Sequence, residues 1–273
     1  MRAELTSTRN PRVKQLVALR RRRTRDELGV TLIDGYDELV LALDAGVRPE
    51  TVYSCPALVS PGARDLDARL TELSAEQVPV SREVFAKISY RENPDGWLAV
   101  VPSPAVPLAS LTLPPRPLVL VCEAVEKPGN LGAMLRTADA AGVAAVVAAG
   151  PVTDWGNPNL VRASKGTVFA VPVAAADPDE VLDWLDAHGI ALVATSPDAE
   201  ASPGDVDLTG PVAIAVGAEH AGLSPALLAA ATYKVRIPMF GKVNSLNVAA
   251  SAAIMLYEAV RQRGRRNDGG HAT

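Results

Sequence analysis

The first hundred residues alternate between short apolar runs and amphipathic stretches. "VTLI" (30–33), "TVYSC" (51–55), "VPVS" (78–81) and "GWLAVV" (96–101) predict strands. Spaced apolar positions in "GYDELVLALDAG" (35–46), closed by Gly46, and in residues 63–76 predict helices, with a further helical turn near 82–88. Strand and helix in turn make a small α/β layer. The pattern then breaks. "VPSPAVPLASLTLPPRP" has prolines at 102, 104, 107, 114, 115 and 117, a density that excludes a helix and favours extended chain. This predicts a first domain over 1–102 and a linker over 103–116.

Beyond the linker the apolar runs lose their alternation. "LVLVCEAV" (118–125), "VAAVVAA" (143–149), "IALVATS" (190–196), "VAIAVG" (212–217) and "YKVRIPM" (233–239) predict strands, "NLGAMLRTADAAG" (130–142) a helix closed by Gly142, and the last helix runs from about Asn247 to Arg263. Strands apolar on both faces indicate a mostly parallel sheet covered by helices on both sides. The second domain is expected over 117–263, with a flexible tail over 264–273. There is no internal repeat, and no apolar run has the length and flanks of a membrane span.

Composition adds an aliphatic core, since aromatics are only 4% of a chain that is 48% hydrophobic. The two cysteines, Cys55 and Cys122, lack metal-ligand spacing and are too few for a disulfide framework, so a cytoplasmic protein without a metal is expected. Charge changes the picture more. The net charge of −4 argues against a nucleic-acid binder, yet residues 1–25 carry nine Lys or Arg against one acid, Glu4. A second basic cluster, Arg261, Arg263, Arg265 and Arg266, closes the last helix. A basic arm on an acidic body is the footprint of a phosphate-binding protein, although a solvated helix face or a disordered tail would read the same way.

Candidate chemistry gathers where strands end, the usual place for sites in open α/β sheets. In "KPGNLGAMLRTA" (127–138), Pro128 and Gly129 make a turn, Asn130 suits an N-cap, and Arg136 lies six residues on, off the face of Asn130. In "AVGAEHAGLSP" (215–225), a strand ends at Gly217, where the missing Cβ would let backbone approach a ligand, and Glu219 follows; His220 reads as an exposed loop residue. In "RIPMFGKVNSLNVAAS" (236–251), Asn244, Ser245 and Asn247 crowd the mouth of a buried helix that needs only one cap. "VRASKGTVF" (161–169) sets Arg162 and Lys165 beside Gly166, which suits a phosphate or an ion pair equally. No G-x-G-x-x-G follows the first strand of the second domain, so the usual dinucleotide loop is missing.

Taken one at a time these segments are weak signals. In order, "NLGAMLR", "GAEHAGL" and "IPM…NSLNVAAS" resemble the three motifs of the SpoU (TrmH) family of RNA 2′-O-methyltransferases in the SPOUT superfamily, over about 117–263. The first domain is similar to the small L30e-like RNA-binding domain of many members. Its opening, "TSTRNPRVKQLVALRRRRTRDE", is similar to ribosomal-RNA-directed members, including the group that protects ribosomes from thiostrepton-type antibiotics.

The resemblance implies an α/β catalytic domain with a deep trefoil knot, a homodimer, and S-adenosylmethionine as cofactor. It implies cofactor contacts from Thr195, Gly217, Ile237, Met239 and Leu246, largely through backbone. It gives Arg136 the 2′-hydroxyl and adjacent phosphate, with Asn130, Glu219, Ser245 and Asn247 completing a hydrogen-bonded floor, and it calls for no metal. RNA phosphates would fall to Arg9, Arg12, Lys14, Arg20 and Arg22 of the arm, with Arg162 and Lys165. Two departures stand out: Lys127 where many members have Asp, and Ala218 where Ser or Asn is common. Ribosomal RNA, 23S first, is the expected substrate and transfer RNA the alternative, while housekeeping and resistance roles read alike. A non-catalytic RNA-binding or assembly factor would be marked by loss of Arg136, Asn130 or Glu219, and all three are present. A Rossmann-like metabolic enzyme would explain neither the missing glycine loop nor the motif triplet.

Overall fold

The structure, a computed structural model, describes residues 4–60, 64–243 and 245–268; Asn244 lies outside them. By internal contacts the chain divides into two units, one of residues 1–104 and 154–170, the other of 105–153 and 171–273.

Within the described residues, the basic arm of the first unit is folded from Pro11 onward into two helices. Asn10 caps α1 (Pro11–Ala18), its side chain accepting from Arg12 N at 2.9 Å with Pro11 in the first turn, and Val13 and Leu16 are buried. Gly29, at φ +65°, ends α2 (Arg22–Leu28). Arg25 of α2 is buried. It donates to the carbonyls of Leu19 and Arg20 and pairs with Asp154 at 2.7 Å. A buried charge needs such partners, so Arg25 is structural rather than a phosphate ligand.

Behind these helices lies a four-stranded sheet in the order β1 (Val30–Asp34), β4 (Trp97–Pro102), β2 (Thr51–Ser54), β3 (Glu76–Pro79). Only β2 and β3 are parallel. Helices α3 (Tyr36–Asp44), α4 (Arg64–Glu72) and α5 (Arg82–Ile88) complete the layer. Residues 154–170, which the sequence assigns to the second domain, pack with this unit. Their helix α7 (Pro158–Ala163) lies against β1, Thr31 donates to the Gly156 carbonyl at 2.5 Å, and a Cβ on Gly166 would sit 2.9 Å from the Glu38 carbonyl oxygen.

In the second unit seven strands pair in parallel, in the order β11 (Tyr233–Val235), β9 (Ala191–Thr195), β10 (Val212–Val216), β6 (Leu118–Glu123), β7 (Ala145–Ala149), β8 (Val173–Ala176), β5 (Ala105–Val106). The expected linker therefore contributes an edge strand, β5. Val119 and Val121 face a core that includes α8 (Pro178–Ala187) and α9 (Pro225–Ala230), whereas Cys122 meets Met134 of α6 (Pro128–Ala140) on the other face. Burial pushes the Cys122 thiol up to about 12, which leaves it inert. Helix α10 (Val248–Asp268) packs on α6 and β10 and continues past residue 263 into the expected tail, and residues 269–273 lie outside the described part. Strand β11 stops at Val235, short of the expected 239, and Pro238 has no N–H to extend its ladder.

Strand order reverses between β6 and β10, so the loops leaving their carboxyl ends diverge and open a crevice there. Among the described residues no helix is long and apolar enough to cross a membrane, and no group of three or more His, Cys, Asp or Glu could hold a metal.

Candidate active site

Four side chains from three segments meet at that crevice. Lys127 precedes Pro128, which opens α6, and Asn130 lies in the helix's first turn. Glu219 comes from the loop after β10, and Asn247 from the residue before α10. Asn130 Nδ2 donates to Glu219 Oε1 at 2.7 Å, and Lys127 Nζ donates to Glu219 Oε2. Asn247 Nδ2 reaches Asn130 Oδ1 at 3.2 Å and Glu219 Oε1 at 3.3 Å, while its Oδ1 accepts from Ala249 N at 3.0 Å and caps α10. The hydrogen bond from Lys127, then that from Asn130, holds the Glu219 carboxyl below the usual range.

Asn130 is therefore not the N-cap that the sequence suggested. Lys127 holds that position without a side-chain cap bond, and the Asn130 amide is spent on the network instead. Arg136 lies six residues further along α6, about 9 Å by helical rise, and is exposed with no side-chain partner among the described residues. Ser245 is exposed and stands outside the network. Of the five residues expected on the catalytic floor, Asn130, Glu219 and Asn247 are joined, Ser245 lines the neighbouring cavity, and Arg136 stands apart. Lys127, singled out only as a departure, is the fourth member; its position between a strand end and a helix start was the available signal.

The cavity, about 950 Å³, is lined by all five residues expected at the cofactor: Thr195, Gly217, Ile237, Met239 and Leu246. The Thr195 hydroxyl donates to the Ala215 carbonyl at 3.0 Å, so this residue can offer mainly backbone and methyl. Gly217 has a different reason for lacking a side chain from the one expected. A Cβ there would lie 2.1 Å from the Gly222 carbonyl, so the glycine lets loop 217–222 close on itself, with Gly222 N bonded to Ala218 O at 2.9 Å. Glu123, buried at the end of β6, accepts from Ser224 N at 2.6 Å and ties down the far side of that loop. Apolar Leu223, Ile237 and Met239 suit a heteroaromatic ring, and Asp198 and Glu219 suit hydroxyl, ammonium or sulfonium groups. This wall fits S-adenosylmethionine.

The residues expected to meet RNA divide into two groups. Arg9, Lys14, Arg162 and Lys165 are exposed without side-chain partners among the described residues. Arg12 pairs with Glu76 at 3.0 Å, Arg22 with Asp26 at 3.4 Å, and Arg20 donates to the Lys87 and Ser89 carbonyls while lying over the Tyr90 ring. In the C-terminal cluster, Arg261 pairs with Glu258 and Arg263 clamps the carbonyls of Leu208, Arg116, Pro117 and Gly210, a structural role; the side chains of Arg265 and Arg266 lie outside the described part.

Comparison with known proteins agrees with this geometry. Residues 117–257 match the SpoU rRNA methylase family, and residues 10–99 match the MRM3-like substrate binding domain. The chain belongs to the SpoU rRNA methylase family. The 23S rRNA (uridine(2479)-2′-O)-methyltransferase of Streptomyces viridochromogenes is 35% identical, over 96% of this chain and 93% of that protein. A solved RNA 2′-O ribose methyltransferase is 45% identical with a TM-score of 0.83, covering 96% of this chain and 99% of its own. The AdoMet-bound rRNA methyltransferase of Sinorhizobium meliloti is 32% identical with a TM-score of 0.86, covering 95% of this chain and 97% of its own.

Proposed function

We propose that this chain methylates a ribose 2′-hydroxyl of ribosomal RNA, with S-adenosylmethionine as donor and 23S RNA as first candidate. The observation that carries the reading is the junction of Asn130, Glu219 and Asn247 at the strand-order reversal, beside a cavity lined by Gly217, Ile237 and Leu246. When bound, the cofactor supplies an electrophilic methyl group, so the protein must place a weak nucleophile in line and help its proton leave.

Thr195, Gly217, Ile237, Met239 and Leu246 would hold the cofactor, and Ser245, on the cavity wall, would close it toward the nucleotide. Asn130 and Asn247, turned by Glu219, would hold the nucleotide. A guanidinium stays protonated at working pH and is no base. Arg136 would instead bind the phosphate next to the target and stabilise charge developing on the 2′-oxygen. Arg9, Lys14, Arg162 and Lys165 would take more distant phosphates, with Arg12, Arg20 and Arg22 joining where they exchange their present partners.

A homodimer belongs to the same reading, because Ile254 and Tyr257 of α10 and Phe240, Val243 and Leu246 before it are large apolar side chains left exposed. So do a trefoil knot around the cavity and a cytoplasmic location, where ribosomes are made. A resistance role would follow from the methylated position.

The test is methyl transfer from labelled S-adenosylmethionine to protein-free 23S, 16S and transfer RNA, with Arg136→Ala beside the wild type. Label should enter one ribosomal RNA, and the variant should lose about 100-fold in kcat with cofactor affinity kept. Label in transfer RNA alone would move the substrate class. No label in any RNA, with cofactor binding intact, would favour a non-catalytic RNA-binding factor.

A further inference from the structure

Glu219 is an acceptor with two oxygens, and the two are held differently. Oε1 accepts from the Asn130 amide at 2.7 Å and from the Asn247 amide at 3.3 Å, whereas Oε2 is held by the Lys127 ammonium. An ionised carboxylate can only accept, so both asparagines must turn Nδ2 toward it. That choice leaves Asn130 Oδ1 for Asn247 and Asn247 Oδ1 for the Ala249 N–H. The Asn130 amide therefore turns with Glu219, the Asn247 amide answers both to Glu219 and to the Ala249 N–H, and Lys127 supplies the remaining hold on that carboxylate. The Lys127 side chain is 64% exposed, so the fold does not need it for packing.

We infer that Lys127 is a positioning residue for methyl transfer: by holding Glu219 Oε2 it keeps Oε1 turned to Asn130 and Asn247 and so fixes the face these amides offer the substrate nucleotide. This rests on the methyltransferase reading above. Among the described residues, the charged or titratable groups that act on Glu219 are Lys127 from the turn before α6 and His220 from its own loop, and both favour the ionised form. Lys127 has the larger effect. Without it the Glu219 carboxyl rises toward its ordinary range and takes up its proton at a higher pH. Protonation would place a donor where the network requires an acceptor.

The experiment compares wild type, Lys127→Met and Lys127→Arg by kcat, by KM for RNA, by the acid limb of the pH profile and by thermal stability. Carbon-13 NMR of labelled glutamate follows the titration of Glu219 directly. Lys127→Met should lower kcat about tenfold with the melting temperature unchanged, and should move the acid limb and the Glu219 titration to higher pH. Lys127→Arg should restore most of kcat. A wild-type kcat and pH profile in Lys127→Met would overturn the inference, as would a loss confined to KM, which would make Lys127 a simple phosphate contact. If the wild type transfers no methyl group at all, the methyltransferase reading fails on its own. The NMR titration still decides whether Lys127 controls Glu219: an upward move supports it and an unmoved titration refutes it.

Discussion

Gly217 shows how much of the site can hang on one missing Cβ. The sequence marked it as a place where backbone could approach a ligand, and the residue does line the cavity. The closest approach, however, is to the Gly222 carbonyl, 2.1 Å from where a Cβ would be, which no side-chain adjustment can relieve. Gly217→Ala must therefore open loop 217–222 and displace Glu219 with it. Calorimetric titration with S-adenosylhomocysteine should show at least about tenfold weaker binding in this variant; unchanged affinity would mean that the loop does not shape the cavity. Other residues were legible only in part. Asn130, Glu219 and Asn247 stood out as polar groups in excess of capping needs, but Lys127 looked like a mere departure, because a partner 92 positions away leaves no trace in local spacing.

Helix α10 carries the element-scale argument. It buries Val248, Ala252, Met255, Leu256 and Ala259 but leaves Ile254 41% and Tyr257 50% exposed, three residues apart on one face. A helix that needed only its own unit would place polar residues there. Sedimentation should find a dimer for the wild type and a monomer for the double variant Ile254→Glu, Tyr257→Glu; a wild-type monomer at micromolar concentration would contradict the dimer. Five strands of the second unit, β6, β7, β9, β10 and β11, were readable, the first four because continuous apolar runs mark burial on both faces, whereas the short β8 and the edge strand β5 were not. Helix α8 was missed despite a capping box of Asp177 and Glu180 around Pro178, which is a sequence-level start signal. Residues 154–170 fall inside the stretch that matches the SpoU family, yet pack with the first unit through contacts with Thr31 and Glu38, far away in sequence and so not legible in local pattern.

At the scale of the whole molecule the question is how an acidic protein holds RNA. Nine basic residues in the first 25 set against a net charge of −4 suggest an arm, yet its cations are not equivalent. Arg25 is locked in the fold, Arg12, Arg20 and Arg22 have partners, and Arg9 and Lys14 stand free among the described residues. Surface pairs such as Arg12 with Glu76 contribute little and can exchange for phosphate. RNA affinity should fall with salt, and the double variant Arg9→Ala, Lys14→Ala should flatten the log–log salt slope by between about 1 and 2. A slope unchanged from the wild type would remove the arm from the interface.

The central claim concerns one oxygen atom, so the most direct measurement is mass spectrometry of nucleosides digested from ribosomal RNA after incubation with the protein and S-adenosylmethionine. The account predicts a single 2′-O-methylated nucleoside, absent when Arg136→Ala replaces the wild type. Methyl groups on a base instead of the ribose, or product formed equally by the Arg136 variant, would contradict it.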